Sequence, residues 1–373
     1  MNYQLITDDQ ALAALVERFH ADDAVMVDTE FMRRDTYYPQ PALVQLCFPG
    51  EPDKAWLVDP LAIDDVQPLR DLFENPAMVK VLHSASEDLE VFQVYLGVQP
   101  LPLFDTQRAA AFAGLGFSLG YRGLVERVSG LELAKGETRS DWLKRPLSDS
   151  QLDYAAADVI PLLPVYRHLR ETLDASGRSD WVLEDGAMAV SEAAAPPAPS
   201  HTRVKSAWKL KPRQLAALAL VCDWRDERAR RLDKPKSWIL ADKVCLAVAQ
   251  RLPRNSNELR GVPDMPQAVV RKQGEVLLDL IDQAHSLDDG ELPAPLDKPL
   301  DNGQRDELKK LKKAAAELAR DWQVEPEALL PAKDYELMVR LAHGEVVQRP
   351  SRWSGWRQQA LVEPLLELIG VEG

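Results

Sequence analysis

Apolar positions in the first half of the chain change period several times. Leu12, Leu15, Val16 and Phe19 recur at helical spacing, and Thr7 and Gln10 stand ahead of them as a capping box, which predicts a helix opening at Thr7. Runs at 24–31, 42–48 and 55–59 read as strands whose connections are too short for crossover helices, so they predict an antiparallel meander. Strands near 79–82 and 102–105 flank a helical pattern from Glu87 to Leu96, which favours a parallel β-α-β step. The expected fold class is an α/β domain with a mixed sheet and helices on its faces.

The strand signal ends at Ser191-Glu192-Ala193-Ala194-Ala195-Pro196-Pro197-Ala198-Pro199-Ser200, an Ala- and Pro-rich stretch that reads as a semi-extended linker. Beyond it lie amphipathic helical patterns at 212–231, 240–251, 268–284, 304–322 and 333–343. Trp238-Ile239-Leu240-Ala241-Asp242-Lys243 is echoed by Ala328-Leu329-Leu330-Pro331-Ala332-Lys333, 90 residues later. The expected organisation is an α/β domain over 1–190, a linker over 191–204 and two all-α domains over 205–287 and 300–373.

Charge is distributed unevenly along these segments. The formal net charge is −14, yet residues 201–250 hold 12 Lys+Arg against 5 Asp+Glu, while residues 1–200 hold 16 against 32. An acidic half followed by a basic collar suits a carboxylate metal site beside a polyanion-gripping surface; a solvated charged face also fits the collar taken alone. Cys47, Cys222 and Cys245 are scattered in apolar surroundings and read as reduced, buried thiols, and the six histidines do not pair at ligand spacing. Any metal is therefore expected on oxygen ligands. The chain shows neither a leader-like amino terminus nor an apolar run of membrane-spanning length, so a soluble cytoplasmic protein without a membrane partner is expected.

Asp28 and Glu30 alternate on one strand, so they project from the same face about 7 Å apart. Alone, the pair fits a solvated strand end as well as a metal site. Ser84 and Glu87 have capping-box spacing, which places Asp88 in the first turn of a helix, where an acid also complements the helix dipole. Ser148-x-x-Gln151 opens a further helix with Leu152, Ala155, Ala156 and Val159 on its apolar stripe, and Tyr154 and Asp158 share another flank.

Together, Asp28-x-Glu30, Asp88 and Tyr154-x-x-x-Asp158 resemble the three motifs of the DEDDy branch of the DEDD-type exonucleases. The words around them, Val27-Asp28-Thr29-Glu30-Phe31-Met32-Arg33, His83-Ser84-Ala85-Ser86-Glu87-Asp88 and Arg145-Pro146-Leu147-Ser148, resemble the ribonuclease D family. The likeness covers residues 1 to about 185. It implies a ribonuclease H-like fold, and the helical half is similar to HRDC modules. It further implies a 3′–5′ exoribonuclease acting as a monomer on RNA with a free 3′ end, such as transfer RNA precursors. Two divalent cations, Mg²⁺ or Mn²⁺, would be held by Asp28, Glu30, Asp88 and Asp158, with Tyr154 orienting the attacking water.

Lys135, Arg139, Lys144 and Arg145, just before the Tyr154 helix, are candidates for gripping the substrate backbone, with surface salt bridging the competing reading for each of them. Collar residues Lys205, Lys209, Lys211, Arg213, Arg225, Arg228, Arg230, Arg231, Lys234 and Lys236 are expected to add salt-sensitive contacts, with Trp208, Trp224 and Trp238 as packing residues. The competing readings are a DEDD-type DNA exonuclease, a non-catalytic RNA-binding scaffold, and, last, a phosphatase using the same carboxylates.

Overall fold

Six strands form one mixed sheet in the order β1-β4-β3-β2-β5-β6: β1 (Tyr3–Ile6), β2 (Ala24–Met32), β3 (Gln40–Cys47), β4 (Ala55–Val58), β5 (Val79–Leu82) and β6 (Leu103–Asp105). The computed structural model describes every residue except 135, 138, 139, 372 and 373. β2, β3 and β4 make the expected antiparallel meander, while β5 lies parallel to β2 and β6 parallel to β5. β1, which the sequence did not suggest, pairs parallel with β4.

Strand alternation divides the core between the two faces of the sheet. Ala24 and Met26 join a cluster with Ala155, Ala156 and Val159 of the Asp149–Val159 helix. Val25 and Val27 face the other way, into a cluster with Leu89 and Phe92 of the Ser86–Tyr95 helix. Lys80 is fully buried in β5; its ammonium donates to the carbonyls of Asn75 and Leu101 at 2.5 and 2.6 Å, which makes that burial tolerable. The Ser179–Ala194 helix approaches β6 so closely at Gly186 that a Cβ there would run into the Leu103 carbonyl.

Two helix starts differ from expectation. The first helix is capped by Asp8, whose carboxylate accepts from the Ala11 amide at 2.8 Å, and it opens at Asp9 instead of Thr7. Ser84 has φ +61° and does not cap its helix, which has no side-chain cap; Asp105, at the end of β6, instead accepts from the Ser84 and Ala85 amides at 3.0 Å each and holds the turn before the helix. The capping box of Ser148 and Gln151 is present. The first residues of the anticipated linker continue the helix that ends at Ala194.

Beyond the linker the helices repeat at a constant displacement. Pro212–Leu232, Lys236–Ile239 and Asp242–Arg251 are matched 90 residues later by Asn302–Trp322, Pro326–Leu329 and Ala332–Ala342. Each 21-residue helix ends on a left-handed residue, Asp233 and Gln323. Each segment has its own apolar core, one around Leu218, Val248 and Ile281, the other around Leu311, Met338 and Leu365.

The chain divides into two units. One comprises Met1–Met32, Pro39–Ala195 and Leu300–Gly373; the other comprises Arg33–Tyr38 and Pro196–Pro299. The second helical segment thus shares a unit with the sheet, and the six-residue loop after β2 belongs with the first helical segment. Within the larger unit, Arg357 and Arg108 both donate to the buried Asp185, and Trp181 stacks on Trp356 with centroids 3.9 Å apart. Among the described residues, no helix is long and apolar enough to cross a membrane.

Candidate active site

β2 and the Asp149–Val159 helix meet on one face of the sheet and bring three of the five candidate residues together. Asp28, Glu30 and Asp158 each offer a carboxylate oxygen, and these oxygens lie within 4.8 Å of one another. The strand's alternation aims Asp28 and Glu30 at the helix, while the apolar stripe of the helix seats it so that Asp158 meets them. Directly after Glu30 the β2–β3 register slips, so that Glu30 pairs with Leu43 but Phe31 with Pro41; such irregularities re-aim side chains beside reactive sites.

Asp88 reaches the same end of the sheet from the opposite face. It is 7% exposed, and its carboxylate accepts from the Thr29 hydroxyl at 2.5 Å. It therefore stands outside the three-carboxylate cluster, although its charge raises both Asp28 and Glu30.

Burial and mutual repulsion push the whole set upward. Burial first, then Asp158, Asp88 and Glu30, hold Asp28 well above the usual carboxylate range; burial, Asp158 and Asp88 raise Glu30 to about 9. Burial raises Asp158 to about 7, and raises Asp88 to about 7 against the opposing Thr29 hydrogen bond. One oxygen of Asp158 is buried without a hydrogen-bond partner, as are both side-chain polar atoms of Gln45, which stands opposite Asp28 in the β2–β3 register. Converging carboxylates and an orphaned carboxylate oxygen fit a divalent cation with all-oxygen ligation.

A stability consequence follows with a definite sign. With folded pKa values raised above about 4, the metal-free folded chain binds more protons than the unfolded chain, so its stability falls as pH rises from about 4 toward the raised values. A cation that binds only the folded, deprotonated site offsets that loss. The rise in Tm on adding Mg²⁺ or Mn²⁺ to EDTA-treated protein is therefore expected to be larger at about pH 8 than at about pH 6. Equal rises at both pH values would count against the carboxylates as the binding site.

Asp28, Tyr154 and Asp158 line a cavity of about 970 Å³ with His83, Tyr121 and Arg122. Burial, with the charges of Asp158, Glu30 and Asp28 behind it, raises Tyr154, so the phenol keeps its proton at neutral pH. Gly136 borders the ring so closely that a Cβ there would overlap Tyr154, and only glycine leaves the tyrosine its place. Tyr121 donates to the Ala157 carbonyl at 3.0 Å, and its ring centroid is 5.6 Å from that of His83. Sequence reasoning singled out neither Gly136, Tyr121 nor Gln45, and none of the three stands in a motif that marks it.

The proposed RNA-gripping cations divide into several groups. Arg145 gives all its donors to the protein: its Nε and a terminal nitrogen donate to Asp59, and the remainder to the carbonyls of Ala42, Trp142 and Lys144. Arg213 closes the end of the Gln267–Ser286 helix, donating to the carbonyls of Ala284, His285 and Leu287 and to Asp289. Arg225 is 2% exposed and held by Asp226 and Asp242. These three are structural clamps, their donors drawn away from any phosphate.

Lys144, Lys209, Lys211 and Arg231 are exposed and Arg228 is half-buried; Lys234 pairs with Asp35 and Lys236 with Asp226. Lys135 and Arg139 lie outside the described residues. Trp142 is core, whereas Trp238, expected to pack, is 62% exposed.

Residues 3–174 match the 3′–5′ exonuclease family, and residues 214–281 match the HRDC domain. The chain is 40% identical over 370 residues to ribonuclease D of Pseudomonas paraeruginosa, covering 98% of this chain and 97% of that protein. It is 37% identical to ribonuclease D of Escherichia coli, with 99% of each chain covered. The crystal structure of the Escherichia coli enzyme, described as an exoribonuclease involved in structured RNA processing, superposes with a TM-score of 0.91 over 99% of each chain at 36% identity.

Proposed function

The chain belongs to the ribonuclease D family of 3′–5′ exonucleases, and on that premise we propose that it shortens RNA from a free 3′ end, releasing nucleoside 5′-monophosphates with the help of two divalent cations, Mg²⁺ or Mn²⁺. The observation that carries this reading is the convergence of Asp28, Glu30 and Asp158 to within 4.8 Å, beside a cavity that Asp28, Asp158 and Tyr154 line. Asp28, Glu30 and Asp158 would hold one cation, and Asp28 with Asp88 the other. Bound there, the cations would acidify a water and neutralise charge on the leaving oxygen.

The chain's own groups do the positioning. Tyr154 keeps its proton and cannot serve as a general base at neutral pH; its hydroxyl orients the attacking water. The narrow gap at Gly136 holds the ring in that pose. Tyr154→Phe is expected to lower kcat by on the order of 10- to 100-fold while leaving RNA affinity within about twofold. Binding lost in proportion to rate would contradict an orienting role.

The substrate reading goes further, to 3′-extended transfer RNA precursors met in the cytoplasm by a monomeric enzyme. The description of the Escherichia coli relative as an enzyme of structured RNA processing supports a structured precursor. The test is a 3′-extended transfer RNA precursor beside its mature counterpart. Stepwise loss of the extension with nucleoside 5′-monophosphates as products is the expected outcome, whereas internal cuts or 3′-phosphate products would overturn the reading.

A further inference from the structure

We propose that the groove between the loop after β2 and the turn at Pro235–Trp238 is a second RNA-binding site, one that stacks an unpaired base on Trp238 and grips the adjoining phosphates through Arg34. The proposal rests on reading the chain as an enzyme of RNA. The groove, of about 540 Å³, is lined by Arg33, Arg34, Thr36, Tyr37, Lys236 and Trp238, and all of it belongs to the unit formed by Arg33–Tyr38 and Pro196–Pro299. That volume falls within the range of small-ligand sites and suits a nucleotide.

Trp238 is the observation that asks for an explanation. It is 62% exposed, the most exposed large aromatic side chain of the unit, in a helix of only four residues. Burying an indole is strongly favourable, so one left in solvent beside basic side chains is most simply a surface awaiting a planar partner. Every nucleobase offers such a plane, and stacking on it is tolerant of sequence.

The platform is built before RNA arrives. The Tyr37 and Tyr38 amides donate to Asp233 at 2.9 and 3.0 Å, and the Thr36 hydroxyl donates to the Tyr38 carbonyl at 2.7 Å. Asp233 has φ +48° at the end of its helix, so the residue that turns the chain also ties down the loop. Tyr37 is flanked by Arg230 and Lys236, 6.0 and 5.9 Å from its ring, and the Lys234 ammonium stands 5.8 Å from the Trp238 ring. A loop already held this way loses little further entropy on binding.

The charge of the groove favours a polyanion. Lys234 is paired with Asp35 at 3.3 Å and Lys236 with Asp226 at 2.6 Å, and Asp233 serves the loop amides. Counting Arg33, Arg34, Arg230, Lys234 and Lys236 against Asp35, Asp226 and Asp233 leaves a positive excess. Arg34 is exposed, with no ion-pair partner among the described residues, and it is the side chain best placed to meet a phosphate. An acidic peptide would answer the charge but would leave the exposed indole without a role.

The full-length Asp28→Asn protein in EDTA, which keeps RNA intact, is titrated with a single-stranded RNA and with the same strand carrying abasic positions. Trp238→Ala is expected to weaken binding of the base-bearing strand about tenfold and abolish its advantage over the abasic strand, with Trp238→Phe restoring most of it. Arg34→Ala is expected to weaken both strands alike and to reduce the salt slope by about one. Trp238 is largely in solvent, so the fold survives its loss, and circular dichroism checks this. An unchanged base-to-abasic ratio in Trp238→Ala, or equally tight binding of fully duplex RNA, would overturn the proposal. Shortening of the same strand by otherwise wild-type protein with Mg²⁺ is followed in parallel. Shortening with no Trp238 effect on binding sinks the groove alone, and Trp238-dependent binding without shortening sinks the exonuclease reading alone.

Discussion

Asp28→Asn is expected to lower turnover on RNA by on the order of 10³-fold or more, while the variant folds normally and melts above wild type in EDTA. Both halves have one cause. Asp28 stands among three other carboxylates, and burial together with Asp158, Asp88 and Glu30 holds it well above the ordinary range, so its charge is a burden on the metal-free fold. Asparagine keeps the shape and removes that burden. It also removes the anionic oxygen shared by the cluster, and a neutral amide is a poor substitute ligand for a hard cation. Thermal melts with and without Mg²⁺, run beside the activity assay, check both. A variant that lost activity and also stability in EDTA would show Asp28 to be a structural residue.

Asp185→Ala is expected to carry the largest stability cost, about 3–5 kcal/mol, read as a fall in the urea midpoint of the unit containing the sheet. Asp185 is 8% exposed and accepts from two arginines: Arg108 at 2.6 and 3.0 Å, and Arg357 at 2.5 and 3.0 Å. Arg357 is 3% exposed and also donates to the Leu329 carbonyl, and Arg108 to that of Ala328. Removing the carboxylate would leave a buried guanidinium uncompensated where the second helical segment joins the sheet-bearing domain. A loss below about 1 kcal/mol would show that solvent already screens this junction.

The parts of the molecule legible in the sequence are those whose cause is local. β2 and β3 announce themselves through length, β2 also through its β-branched Val25, Val27 and Thr29, and the Ser148–Gln151 box fixes the start of the helix that carries Tyr154 and Asp158. The 90-residue echo, weak as letters, coincides with the repeat of three successive helices. β1 escaped because it is four residues long and its apolar residues do not alternate: Leu5 and Ile6 are adjacent, yet one is exposed and the other buried. Ser84 misled because Asp105, 21 residues away in sequence, accepts from the Ser84 amide and holds Ser84 in a left-handed turn ahead of the helix.

The same distinction governs the site. Motif spacing singled out Asp28, Glu30 and Asp158, which the fold brings together, because each stands in a local word that resembles the DEDD pattern. For Arg145 the salt-bridge alternative is the one found, and charge counting could not name the partners that consume the donors of Arg145 and Arg213, such as Asp59 and Asp289, because they are distant in sequence. Exposure was legible only in part: Trp142, beside Leu143, reads as core and is 1% exposed, whereas Trp238, expected to pack, is 62% exposed.

The central claim, a carboxylate site that shortens RNA from its 3′ end, is tested most directly by one time course. Wild-type and Asp28→Asn protein act on 5′-labelled RNA and matched DNA, with 3′-hydroxyl or blocked 3′ ends, in Mg²⁺ or EDTA. A ladder that recedes from the free 3′ end of RNA, absent with the variant, in EDTA and on blocked ends, is the predicted result. Preferential shortening of DNA, or a ladder that persists with Asp28→Asn, would contradict it.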